Sequence, residues 1–290
     1  MTISYGQNVA GALQSGTAAL QEVSNTARLD AEILMAHALG LTRAEMLMRQ
    51  RDLQVPECFA KLVARRATSE PVAYIRGFQE FWDLTLAVTP DVLIPRADSE
   101  TVIEVAIDAF AGNNGPARVL DLGTGSGALL LAALSVFPDA SGVGVDASAA
   151  ALSIASRNAE QLGFRDRTEF RRLNWHEMNW TEGIGRFDLI ICNPPYVESS
   201  AELDATVMLY EPHNALFAGE EGLDDYRILL PRLENLLNRS GIAIFEIGYR
   251  QADAVSDLAR RAGLSTKLHS DLGGNPRCLR FSLGIAGTGG

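Results

Sequence analysis

Leu120-Asp121-Leu122-Gly123-Thr124-Gly125-Ser126-Gly127 joins an apolar stretch over residues 118–122 to a helix-forming one over 128–136. A strand that runs through glycines into a helix brings backbone where it must pass close to a ligand. The spacing is Gly-x-Gly-x-Gly, without the two-residue gap of the dinucleotide fingerprint, so a nicotinamide cofactor is not the first choice. Outward from this stretch, strand patterns recur at residues 142–145, 168–173, 187–192, 242–247, 265–270 and 278–283, with a helix over 149–161. This alternation predicts an α/β fold, a doubly wound and mostly parallel seven-stranded sheet with right-handed crossovers.

Upstream the pattern differs. Residues 8–68 read as several short helices, with Leu29, Ile33, Leu34 and Ala38 recurring near a 3.6 period. Such a bundle serves either as a packing cap or as a substrate-docking domain, and periodicity does not separate the two. From Gly77 to Val88 the residues Phe78, Phe81, Trp82, Leu84, Leu86 and Val88 approach a two-residue alternation, which predicts a hairpin. The expected organisation is an N-terminal helical domain over 1–76, a β-hairpin linker over 77–90 and a larger α/β domain over 91–290. Only Gly284 to Gly290 reads as a loose tail.

At 290 residues with 47% hydrophobic content, the chain can bury a sizeable core, and no run approaches the roughly 20 apolar residues that span a bilayer. Neither a secretory signal nor a membrane segment is expected, which favours the cytoplasm. Cys58, Cys192 and Cys278 are widely spaced and odd in number, arguing against a disulfide framework or a metal cluster. With 25 basic and 36 acidic residues the net charge is −11, which disfavours non-specific binding to a nucleic-acid backbone. The basic pairs Arg65-Arg66 and Arg171-Arg172 read as solvated helix or strand-edge charges.

Three features carry chemistry. Asp146 closes the second strand about twenty residues beyond the glycine loop, where an acid either binds ribose hydroxyls or caps the following helix, with Ser148 the alternative cap. Asp121, inside an apolar strand, either accepts from the loop amides or faces a cationic ligand; S-adenosylmethionine, with its sulfonium and ammonium groups, suits an acidic floor. Trp175 flanks an adenine ring or simply packs, and His176 and His213 read as surface or loop residues. Finally, Asn193-Pro194-Pro195-Tyr196 follows the strand at 187–192. Two prolines there can be a mere strand stop. Alternatively, the Asn193 carboxamide oxygen and a neighbouring carbonyl accept both hydrogens of one planar NH2 group, with the Tyr196 ring over its face.

With these elements together the chain resembles the class I S-adenosylmethionine-dependent methyltransferases, and the tetrapeptide narrows this to those that methylate amino or amide nitrogens. Arg65-Arg66, Glu70-Pro71-Val72-Ala73-Tyr74-Ile75, Val92-Leu93-Ile94-Pro95-Arg96, Glu211-Pro212, Gly222-Leu223, Glu246-Ile247-Gly248 and Asp271-Leu272-Gly273-Gly274 with Arg277 are similar to the HemK/PrmC family, the protein-(glutamine-N5) methyltransferases of peptide chain release factors. The resemblance implies a monomeric enzyme that uses S-adenosylmethionine, releases S-adenosylhomocysteine, methylates a glutamine of class 1 release factors and so modulates translation termination. It needs no metal and no direct nucleic-acid contact. It implies cofactor contacts from Gly123, Thr124, Gly125, Ser126, Gly127, Asp146, Trp175 and Asn193, and a glutamine held by Asn193, Pro194, Pro195 and Tyr196, of which Asn193, Pro194 and Tyr196 are catalytic. Two positions depart from the family pattern: Ala97 replaces a usual proline, and Asn174 a usual aspartate, which weakens any adenine-amino contact there. The rival reading is an N6-adenine nucleic-acid methyltransferase, since an exocyclic amino group offers the same two hydrogens. A third possibility is a fold that binds nucleoside without catalysing anything.

Overall fold

The computed structural model describes residues 8–284, so the tail expected beyond Gly284 lies outside the described residues. In chain order the first half contains α1 (Val9–Leu20), α2 (Ala27–Leu39), α3 (Arg43–Arg49), α4 (Phe59–Ala67), α5 (Val72–Arg76), β1 (Phe78–Phe81), β2 (Leu84–Ala87), α6 (Glu100–Phe110), β3 (Arg118–Leu122) and α7 (Ala128–Val136). The second contains β4 (Ser141–Asp146), α8 (Ala149–Gln161), β5 (Thr168–Arg172), β6 (Phe187–Cys192), α9 (Ala205–Tyr210), α10 (Asp224–Leu229), α11 (Leu233–Leu236), β7 (Leu237–Glu246), α12 (Ala252–Arg261), β8 (Leu264–Ser270) and β9 (Pro276–Leu283). Contacts divide the chain into two units: one runs through Phe78 and includes Leu203–Glu211, the other comprises Gln79–Glu202 and the chain from Pro212 onward.

The helical unit is defined by its helix ends. Thr42 and Glu45 form a reciprocal capping box on α3, and Gly40 closes α2 in the left-handed conformation. Leu20, Leu34, Met35, Met46 and Phe59 are fully buried. The inward face of α2 is Ala27, Asp30, Ala31, Leu34 and Met35, whereas Leu29, expected in the apolar stripe, is 40% exposed. A polar residue on the inward face explains the shift. Arg66 Nε donates to Asp30 Oδ2 at 2.7 Å with both side chains nearly buried, and Ser24 and Thr26 hydroxyls donate to the same carboxylate. Arg66 is therefore no solvated charge, contrary to the sequence expectation; its neighbour Arg65 pairs with Glu70. Breaking such a buried pair from one side typically costs about 3–5 kcal/mol, because the remaining charge is left uncompensated. The helix α9, between β6 and β7 in sequence, belongs to this unit, with Tyr210 Oη donating to the Thr68 carbonyl at 3.0 Å.

In the α/β unit the seven strands lie in the order β5-β4-β3-β6-β7-β9-β8, with β9 antiparallel to both of its neighbours. Successive residues of β3 face opposite sides: Val119 packs in the cluster with α6 and α7, while Leu120 and Leu122 pack with α10 to α12. That period of two across a sheet covered on both faces is the doubly wound architecture. Helix α7 is apolar except for the exposed Ser135, with Leu129, Leu130, Leu131 and Leu134 buried, each contributing about 1.5–3 kcal/mol. Strand β7 begins at Leu237 rather than at residue 242: Leu237 pairs with Phe187, and a register shift between Phe187 and Leu189 takes the polar residues 238–240 into the strand.

Candidate active site

Strand order decides what meets at the carboxyl edge of the sheet. Leu122 is in register with Val145 on β4 and with Cys192 on β6, and Cys192 is in register with Phe245 on β7. The next residues along the four strands are therefore Asp146, Gly123, Asn193 and Glu246, side by side. The chain leaves β3 in one direction toward β4 and β5 and in the other toward β6 and β7, and such a switch point opens a crevice at the strand ends.

The glycine loop is held to its neighbour by main-chain and carboxylate bonds. Gly123 N and Thr124 N both donate to the Val145 carbonyl at 2.9 Å, and Gly125 N donates to Asp146 Oδ2 at 2.9 Å. Asp146 Oδ1 accepts from Ser148 N at 2.8 Å, while the cap of α8 is Ser148, whose hydroxyl accepts from Ala151 N. Of the two roles open for Asp146, capping therefore goes to Ser148. Each Asp146 oxygen keeps a further lone pair. Burial raises its carboxyl pKa, against the amides of Ser148 and Gly125.

Gly123, Gly125, Asp146, Trp175, Asn193 and Pro195 line one cavity of about 420 Å³, within the range of small-molecule sites. Asp121, Thr124, Ser126 and Ser99 instead line a smaller adjoining cavity of about 60 Å³, which shares Asn193 and Gly123. Asp121 Oδ2 accepts from the Thr124 hydroxyl at 2.6 Å, whereas its Oδ1 is buried without a hydrogen-bond partner. Burial pushes this carboxyl up to about 7, with the Asp146 charge adding to the shift. A buried carboxylate oxygen left open at the cavity edge fits a cationic ligand group.

Trp175 both packs and lines the cavity. Its indole Nε1 donates to Asp225 Oδ1 at 2.5 Å, and its ring lies over the glycine loop so closely that a Cβ at Gly123 would meet it at 3.1 Å. His176, expected to be a plain loop residue, places Nε2 3.1 Å from the same Asp225 oxygen and also lines the cavity. His213 packs edge-on against Phe217.

On the other side of the switch point, Asn193 is half-buried and Pro194 and Pro195 are buried. Asn193 and Pro195 line the main cavity; Pro194 and Tyr196 line neither of the two described here. Asn193 Nδ2 donates to Ser99 Oγ at 3.3 Å, Ser99 Oγ donates to Glu246 Oε2 at 2.5 Å, and Tyr196 Oη donates to Glu246 Oε1 at 3.1 Å. Burial and the neighbouring Glu246 charge push the Tyr196 phenol far above its usual range, so it stays a donor. Burial also raises Glu246, opposed by those two hydroxyls and by the Arg277 charge. The backbone of the tetrapeptide is clamped by Gln251, whose Nε2 donates to the carbonyls of Tyr196 and Gly222 at 3.0 and 3.1 Å. Gly222 has φ +66°, and a Cβ there would lie 2.2 Å from the Tyr196 carbonyl oxygen, so only glycine fits.

Sequence reasoning passed over Ser99, Asp225 and Gln251 as site residues and quoted Glu246 only as part of a family segment. One signal was present: Glu246, like Asp121 and Asp146, is an acid at or near the end of a strand, directly after a run of apolar residues and glycine. For Ser99 and Gln251 no local signal exists, since their partners lie 94 and 55 residues away.

The chain matches the PrmC N-terminal domain over residues 11–77 and a methyltransferase domain over 114–258. It is 40% identical to the release factor glutamine methyltransferase of Rhodospirillum rubrum, covering 87% of this chain and 78% of that protein. It is 38% identical to the protein of the same name in Bradyrhizobium diazoefficiens, covering 94% of each. A solved methyltransferase from Pyrococcus furiosus shares the fold with a TM-score of 0.51 at 18% identity, over 78% of this chain and 100% of that one. Over both its helical and its α/β parts, then, the chain belongs to the release factor glutamine methyltransferase family, whose members are S-adenosylmethionine-dependent enzymes.

Proposed function

We propose that this protein transfers the methyl group of S-adenosylmethionine to the side-chain amide nitrogen of a glutamine in a class 1 peptide chain release factor, leaving S-adenosylhomocysteine. The observation that carries the reading is the position of Asn193 in the wall of the cavity that Gly123, Gly125 and Asp146 also line. It brings an oriented carboxamide next to a nucleoside-sized site. The cofactor supplies an electrophilic methyl on a sulfonium. Asp146 would hold the ribose hydroxyls, Trp175 would flank the adenine, and the backbone of Gly123 to Gly127 would line the cofactor's path. Asp121 offers its open oxygen to the cationic portion.

A glutamine amide nitrogen is a weak nucleophile because its lone pair is delocalised. Asn193 Oδ1 and the Pro194 carbonyl would accept its two hydrogens and so turn the lone pair toward the methyl donor, and the proton released from the methylated nitrogen would pass to water. Catalysis in this reading is positioning and electrostatics, with no strong general base. Tyr196 packs beside the amide plane, its hydroxyl held by Glu246. The net charge of −11 supports a protein acceptor over a nucleic acid, and a substrate that works in translation supports a cytoplasmic enzyme. Among the described residues no helix is long and apolar enough to cross a membrane.

Incubation with methyl-labelled S-adenosylmethionine and purified release factor, followed by mass spectrometry of peptides, is the test. Label on a glutamine side chain is the expected result. Label on an adenine amino group of added RNA or DNA, with none on the protein, overturns the reading.

A further inference from the structure

We infer that Ser99 and Glu246 are positioning residues that fix which way the Asn193 carboxamide points, so that its oxygen is the atom turned toward the acceptor NH2. The inference rests on the nitrogen-methylation reading above for its use, but on the hydrogen-bond network for its content. The two hydroxyl donors and the Arg277 charge act against burial to favour the ionised form of Glu246, and a carboxylate has acceptors only: Ser99 Oγ donates to Oε2 and Tyr196 Oη to Oε1. A hydroxyl has one hydrogen. Once Ser99 has committed it to Glu246, Ser99 Oγ can only accept, and the group facing it at 3.3 Å must be the NH2 of Asn193. The opposite rotamer would set two acceptors against each other in a buried position.

The rest of the surroundings holds the relay in place. Glu246 is 1% exposed; its main-chain carbonyl accepts from the buried Tyr226 Oη at 2.7 Å, which fixes the strand end, and its carboxylate is held by the Ser99 and Tyr196 hydroxyls. Ser99 is 4% exposed at the start of α6, reached from a different part of the chain than either of its partners. An asparagine at the end of β6 is thus oriented by a strand end and a helix start that lie beside it only in the folded chain. Asn193 lines the main cavity with Gly125 and Asp146, and Ser99 the adjoining one with Gly125, but no hydrogen bond of the relay reaches Gly125 or Asp146, so loss of the Ser99 hydroxyl is expected to leave cofactor affinity largely in place.

Ser99→Ala removes the acceptor while leaving the backbone turn intact. At saturating S-adenosylmethionine, kcat is expected to fall on the order of 10- to 100-fold, whereas the KM for release factor and the calorimetric Kd for cofactor stay within about threefold and cooperative melting is retained. Glu246→Gln keeps an oxygen that can accept from Ser99 while its NH2 faces the Tyr196 hydroxyl, so it should lose less turnover than Ser99→Ala. A readout free of any substrate is the 15N–1H spectrum: one Asn193 side-chain NH proton should exchange slowly in the parent and rapidly in Ser99→Ala. Parent-like kcat in Ser99→Ala, or an Asn193 amide whose exchange does not change, overturns the inference; so does a loss of activity that tracks cofactor affinity and melting. If the parent instead methylates an adenine, the release-factor reading fails alone, because any planar NH2 acceptor needs the same orientation and the spectrum still decides the relay.

Discussion

The two sides of the switch point are built differently. On the proposed cofactor side, Gly123, Gly125 and Asp146 are joined by main-chain amides within about one strand-helix-strand passage, and Ser148 completes the local geometry. On the proposed acceptor side, Asn193 and its tetrapeptide depend on Ser99, Glu246, Gln251 and Gly222, which come from three separate parts of the chain. A site made of backbone and near neighbours tolerates change around it. A site made of converging side chains is sensitive to each of its distant supports.

Three substitutions separate the sides. Asn193→Ala should have the largest effect: kcat about 10²- to 10³-fold lower, comparable to losing one oxyanion-hole donor, with cofactor affinity nearly unchanged by titration calorimetry. Equal loss of affinity and turnover would make the two sides one unit and break the comparison. Asp146→Ala acts on the other side, removing a charge-assisted contact worth about 1.5–3 kcal/mol, so the cofactor Kd should rise roughly 10- to 100-fold while kcat at saturation falls far less. An unchanged Kd would reduce Asp146 to a brace for Gly125.

The smallest effect is a slope. Asp121 has its carboxyl raised from 3.8 to about 7 in the folded protein, chiefly by burial, so between these values the native state binds a proton that the unfolded state has lost. Stability contributed by this group is therefore present at low pH and falls as pH rises toward about 7. In Asp121→Asn that part of the fall should vanish, and in the wild type a bound cationic cofactor should flatten it, both read from denaturant unfolding across pH. An unaltered pH profile in the variant would show that the open Oδ1 is solvated after all.

The legibility of the site follows the same division. Asp121, Gly123 to Gly127, Asp146 and the tetrapeptide were readable because strand, glycine turn and terminal acid are consecutive in sequence. Trp175 was readable as an aromatic near a strand end, but its anchor Asp225 was not, being 50 residues away. In the helical unit, Arg66 read as a surface charge because periodicity carries no information about Asp30, 36 residues earlier, which turns the buried side of α2 partly polar. Helix α6 did not figure among the expected elements either, although it delivers Ser99 to the site.

The sequence by itself determined the alternation of strand and helix, the glycine loop, the closing acids and the tetrapeptide, because each is set by local periodicity and by the steric demands of Gly and Pro. Tertiary structure alone decided the strand order that sets Asn193 beside Gly123 on one side and Glu246 on the other, and with it the direction in which one carboxamide points. That choice needs a hydrogen-bond donor and acceptor brought together across 94 residues on one side and 147 on the other, a proximity that only the packed sheet supplies.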